Sequence, residues 1–252
     1  MTQPLYQALY HVGQTQTDWD ILRDILTTGR SAELSDLWPD IYRHAMGLLD
    51  RKAPALPPRL AAQVRFLAEA DRLKSVRRGT SLHDGSRREN SAEHSWHICL
   101  FALTLLDHAI RPVDLGTVLR MLILHDLVEI DAGDVPIHSA AARDAAQQAA
   151  VEAAAATRIF GLLPRDQGRS LRAIWDTFEA ARTDDAIFAK SLDRVQPVLS
   201  NLATGGASWV DYNVTRAQID DRVGQKVTRG APALWDAIRP DIDDWFNRRA
   251  AS

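Results

Sequence analysis

Residues 122–134 read LILHDLVEIDAGD, with His125 and Asp126 adjacent inside an apolar run. Glu129 follows four residues after His125 and three after Asp126. On a helix, all three share roughly one face. Burying an imidazole and two carboxylates together costs free energy unless something offsets it. A divalent cation is the simplest offset. Imidazole and carboxylate are ligands that Mn, Fe, Co, Ni or Zn accept, whereas Mg prefers fewer nitrogens. One adjacent pair does not complete a coordination shell. His94, at the head of NSAEHSWHICLFALTLL (90–106), offers a third donor from an antiparallel neighbour. Asp193, an acid within the apolar run FAKSLDRVQPV, offers a fourth. Four such ligands leave about two octahedral positions for water or a substrate oxygen, as a catalytic site requires. Taken singly, each residue has an ordinary reading: His94 as a helix-start or core histidine, Asp193 as a partner of Lys190 or an arginine, Glu129 as part of a solvated face. The ordered set on separate helices is what points to a metal.

The segments ENSAEHSWHI, LHDLVEIDAGDVP and KSLDRV together resemble the HD-domain phosphohydrolases, specifically the bacterial 5′-deoxynucleotidase-like branch, over about residues 59–203. The resemblance implies one divalent cation (Mn, Co, Fe, Ni, Zn or Mg) held by His94, His125, Asp126 and Asp193. It implies catalytic roles for Glu129 and Asp134. It matches Arg78, in DRLKSVRR, to the arginine that grips the substrate phosphate, with Arg87 as a second candidate. The position after that arginine, aromatic in the relatives, is Gly79. The implied activity is hydrolysis of a phosphomonoester, foremost a (deoxy)nucleoside 5′-monophosphate, by a homodimer. A nucleoside triphosphate or pyrophosphate hydrolase, or a nucleotide-binding regulator without turnover, are the alternatives. His97 is expected to pack or hydrogen-bond near the site, and Trp96 to pack. Only His138 lies between the His-Asp pair and Asp193, which disfavours a two-metal centre.

The rest of the chain must position these groups. It has 252 residues, 46% of them apolar, enough for a sizeable core. A net charge of −3 gives no basic field for nucleic acid or an anionic membrane. Locally, however, residues 71–88 hold six Lys or Arg against two Asp, and arginine's fork suits phosphate. One cysteine, Cys99, excludes an internal disulfide framework and a cysteine-rich zinc site. The N-terminus lacks a signal-peptide pattern, and the longest apolar stretch, 98–106, is about half a membrane span. A cytoplasmic protein is expected.

Helical spacing dominates, so the expected class is all-α. Residues 1–55 read as an N-terminal helical extension of unknown role, ending in the proline-rich RKAPALPP. Residues 56–252 read as the HD-type domain. Within it, a basic helix runs to about Arg78, and a polar loop follows. Asn90 with Glu93 predicts a capping box for a helix from Ser91 that buries Ile98, Leu100, Phe101 and Leu103. Asp114 caps the next helix, which extends to about Gly133. Further helices are expected at 139–160, 166–182 and 183–202, the last kinked or shortened by Pro197, with two closing helices.

Overall fold

The computed structural model describes residues 56–138 and 145–251. The expected N-terminal extension lies outside the described residues. The described part is an all-α bundle carrying one two-stranded ribbon. Its elements are α1 (Pro58–Ala70), β1 (Arg77–Ser81), β2 (Arg88–Asn90), α2 (Ser91–Thr104), α3 (Leu115–Leu124), α4 (Glu129–Ala132), α5 (Ala145–Phe160), α6 (Arg165–Ala180), α7 (Asp184–Ala203), α8 (Ala207–Asp211), α9 (Arg216–Ile219), α10 (Gln225–Gly230) and α11 (Pro232–Ala250).

The helix starts follow their caps. Asn90 accepts from the Glu93 backbone N–H, and Glu93 accepts in return from the Asn90 N–H, closing the capping box of α2. Asp114 caps α3 through the Thr117 N–H, and Thr183 caps α7 through the Ala186 N–H. The core forms three connected patches. One joins Phe66 and Leu73 to α5 around Ile159 and Phe160. A second packs Ile98, Met121 and Leu122 against Phe178, Phe188 and Leu192. The third holds Val195 and Val198 against Trp209, Ile219, Trp235 and Ile242. Helix α7 contributes to the second and third patches, so Asp193 sits at the centre of the fold.

Four expectations are corrected. The basic helix stops at Ala70. A 3-10 turn (Asp71–Ser75) follows, and the residues expected to end the helix and form a polar loop make the antiparallel ribbon β1–β2 instead. The helix after Asp114 does not run unbroken to Gly133: it tightens into a 3-10 turn at His125–Val128 before α4. Pro197 does not shorten α7, which continues through it to Ala203. The surrounding packing outweighs the one lost backbone bond. On α2, Ile98 is fully buried, but Leu100 (39%) and Leu103 (52%) are exposed along with Trp96 (63%). The apolar stripe of α2 is therefore wider than its buried face.

Candidate metal centre

His94 lies in the first turn of α2, where the capping box fixes the start of the helix, and it is fully buried. Its Nδ1 meets Gln196 Oε1 at 3.0 Å, which leaves Nε2 facing Asp193 Oδ1 at 3.2 Å. His125 opens the 3-10 turn after α3. Its Nδ1–H donates to the Leu122 carbonyl at 2.8 Å, and its own carbonyl accepts from Trp175 Nε1 at 3.1 Å. That fixes the ring with Nε2 pointing inward. The two imidazoles lie 5.6 Å apart between ring centres. Donor atoms of His94, His125 and Asp193 fall within 4.8 Å of one another, all three buried.

The donor set fits a cation. His125 Nε2 is buried without a hydrogen-bond partner, although Asp126 Oδ1 lies 2.9 Å away and Asp193 Oδ1 3.7 Å away. An orphaned imidazole nitrogen between carboxylate oxygens is an arrangement that a metal ion satisfies. Asp126 turns its other oxygen to Arg78, at 2.9 Å.

The remaining acids gather around Arg78, which β1 carries inward. Beyond Asp126, its guanidinium lies 3.7 Å from Glu129, 3.8 Å from Asp134 and 3.5 Å from Glu89. Glu129 also accepts from Ser91 Oγ, and Asp134 accepts from the Gly79 backbone N–H at 3.1 Å. Arg87 is placed differently. It forks onto Glu93 at 2.7 and 2.8 Å, on the surface, and does not line the central cavity. His97 packs against Trp96 and Phe101 and lies 3.3 Å from Gln196 Nε2, so it touches a partner of His94 rather than the cluster. Trp96 is exposed rather than packed in the core. His138 lines the cavity. Sequence reasoning missed Gln196, which orients His94, and Glu89, a 3%-exposed acid behind it. Glu89 carried a signal in RREN, a carboxylate just ahead of the cap residue.

The electrostatics split the site. Burial drives the His94 imidazole down to about 4, helped by the Arg78 charge, so it is neutral at pH 7. Burial also opposes charge on His125, but the Asp126 carboxylate and the contacts with Asp126 and Asp193 outweigh it and raise it to about 10. Burial works against ionised Asp126, yet His125 and Arg78 hold it at about 2. Burial and the nearby Asp126 charge push Glu129 well above its usual range, and burial raises Asp134 as well. The carboxylates that a cation would join thus also favour a proton on His125. Metal entry must displace it. Calorimetric titration of manganese at pH 7, in buffers of different ionisation enthalpy, should show at least one proton released per ion. Apparent affinity should rise with pH over the range in which His125 is charged. A release of zero protons would contradict a charged His125.

The cavity beside the cluster measures about 490 Å³. Arg78, Asp126, Glu129, Asp134 and Asp193 line one part of it, while Pro136, Ile137, Val198, Trp209, Tyr212 and Val223 give it an apolar part. Gly79 has a steric role here: a side chain on it would meet Pro136 Cγ at 3.0 Å and the Tyr212 ring at 3.3 Å. Tyr212 and Pro136 thus crowd the position where a bulkier residue would stand. No helix among the described residues is long and apolar enough to cross a membrane.

Comparison with known proteins agrees with this geometry. A family model described as HD domain matches residues 70–235. A crystal structure of a predicted metal-dependent phosphohydrolase from Magnetospirillum magnetotacticum MS-1 is 45% identical, with a TM-score of 0.70, over 76% of this chain and 97% of that one. The 5′-deoxynucleotidase HDDC2 of Mus musculus is 25% identical over 140 residues, 55% of this chain and 68% of that protein. Its Homo sapiens counterpart is 25% identical over 137 residues, 54% of this chain and 65% of that protein.

Proposed function

We propose, since this chain belongs to the HD-domain family of metal-dependent phosphohydrolases, that it hydrolyses phosphomonoesters and that its substrates are (deoxy)nucleoside 5′-monophosphates. The observation that carries this reading is the convergence of His94, His125 and Asp193 donor atoms within 4.8 Å of one another, beside a cavity lined by both charged and apolar side chains. A phosphate suits the charged part and a base the apolar part. The cavity lies within the size range of small-ligand sites.

In this reading His94, His125, Asp126 and Asp193 hold the cation. When bound, it supplies an activated water and charge compensation for the phosphate. Glu129 takes the water's proton, and Ser91 Oγ keeps its carboxyl aimed. Asp134, anchored by the Gly79 N–H, delivers a proton to the departing ribose oxygen. Burial supports that role by keeping Asp134 protonated further up the pH scale than an exposed aspartate. Arg78 gathers Asp126, Glu129 and Asp134 into one constellation and lends its charge to the same end of the cavity. The exposed stripe of Trp96, Leu100 and Leu103 on α2 supports the homodimer reading.

The test is a phosphate-release screen over nucleoside mono-, di- and triphosphates with Mn, Co, Mg, Ni and Zn. Release from 5′-monophosphates, strongest with one of these metals, is the expected result. Preferential release from triphosphates would move the reading to a pyrophosphohydrolase. Tight nucleotide binding with no release under any metal would make the protein a nucleotide sensor.

A further inference from the structure

Helix α7 brings two further cations to the cavity, beside the acids Glu152 and Glu179 that also line it. Lys190, Asp193 and Arg194 all line it, and on a helix their spacing places them on one face. The two cations therefore flank the carboxylate that faces both histidines.

Arg78 and Arg194 differ in what already answers their charge. Arg78 has four carboxylates within 3.8 Å. Among the described residues, the carboxylate beside Arg194 is Asp193, whose Oδ2 is 3.7 Å from Arg194 Nε, too far for a hydrogen bond, and whose Oδ1 is turned to His94 and His125. Among the described residues Arg194 Nε, like Arg78 Nε, is buried without a hydrogen-bond partner. His138 Nδ1, on the same cavity, is likewise buried and unbonded. Native structures leave few such groups without partners, and each asks for an explanation. Lys226 on α10 lies outside the cavity lining but feels the same charges. The Lys226 ammonium is held below its usual range by Arg194 first, then by burial and Lys190. Of Lys190 and Arg194, only Lys190 has a close two-point carboxylate partner among the described residues, Glu179, at 2.9 and 3.0 Å.

Resting on the phosphohydrolase reading above, we infer that Arg194, supported by Lys190, is a second clamp for the substrate's phosphate dianion in addition to Arg78, which also organises the carboxylates. The phosphate would lie beside Asp193, against α7. Arg194 would donate through its fork to the phosphate oxygens, and His138 stands on the same cavity to complete the contact. A planar fork holding two oxygens fixes the orientation of the phosphorus as well as its charge, which a point charge on Lys190 does not.

The test reads phosphate binding, so it does not depend on turnover. Inorganic phosphate is titrated calorimetrically into the manganese-loaded full chain, as wild type, Arg194→Ala, Lys190→Met and Arg87→Ala, with metal content measured for each. Arg194→Ala should bind phosphate about 10- to 100-fold more weakly while retaining its metal, because charge-assisted hydrogen bonds are lost. Lys190→Met should weaken binding several-fold, and Arg87→Ala should match wild type. Wild-type affinity in Arg194→Ala, or a loss confined to Arg87→Ala, overturns the assignment. Should Arg194→Ala lose metal as well, Lys190→Met decides, since Lys190 pairs with Glu179 and touches no proposed ligand: weakened binding supports the clamp and unchanged affinity overturns it. A wild type that binds phosphate through Arg194 yet hydrolyses no nucleotide would sink the proposed activity and leave this site standing.

Discussion

Replacing His125 with alanine is expected to strip the protein of its metal and to lower phosphate release by more than about 100-fold, the upper loss that removing an outer-shell partner already causes. His125 is the hinge of the cluster because everything around it is arranged to present one nitrogen. The Leu122 carbonyl holds Nδ1–H, Trp175 anchors the backbone, and the edge of the ring packs on Phe178 at 5.2 Å. His97 is not free to take its place, being held against Trp96, Phe101 and Gln196. The substitution also removes the cation that balances Asp126 and Asp193 in the metal-free protein, so two buried carboxylates lose their nearest positive partner. Metal analysis after dialysis, with circular dichroism to confirm folding, checks both parts. A folded His125→Ala protein that keeps one ion per chain would contradict the ligand assignment.

The metal-ligand candidates were legible in sequence to an unusual degree because three of them are marked locally. His94 sits four residues into a capping-box helix, and His125 and Asp126 interrupt an apolar run that has no other reason to contain them. Asp193 had no local mark of its own. An acid on an apolar helix pairs by default with a nearby cation, and only its place in the ordered set singled it out. What stayed illegible depends on pairing between distant segments. RRGTS shows no strand alternation, and β1 exists because it pairs with β2 across the turn and carries Arg78 into the acids. The 3-10 turn at His125 follows from buried packing that periodicity does not encode, since an apolar run reads the same in either helix type. Arg87 and Arg194 show the same limit. Both are arginines near a motif, yet one lies on a surface glutamate and the other faces the cavity, a difference set by tertiary position alone.

Glu129→Gln is expected to do the reverse of His125→Ala: the metal stays and turnover falls by about 10²- to 10⁴-fold, the range for loss of a general base. Glutamine keeps the shape and can still accept from Ser91 Oγ, so the fold and the ligand cluster have no cause to change. What it cannot do is take a proton. Burial and the Asp126 charge raise Glu129 well above the usual carboxylate range, which moves it toward the pH where a base is both deprotonated and strong enough to act. The sign follows: wild-type activity should be lost as pH falls through that raised value, because the carboxyl becomes protonated and no longer accepts. In Glu129→Gln the residual rate should lack this acid limb. A pH–rate profile of both proteins, measured with metal content held equal, makes the comparison. If the variant is fully active, Glu129 has no part in the reaction. If it is slowed but keeps the acid limb, the titrating base lies elsewhere, and Asp134, the other raised acid at that end of the cavity, is the next group to replace.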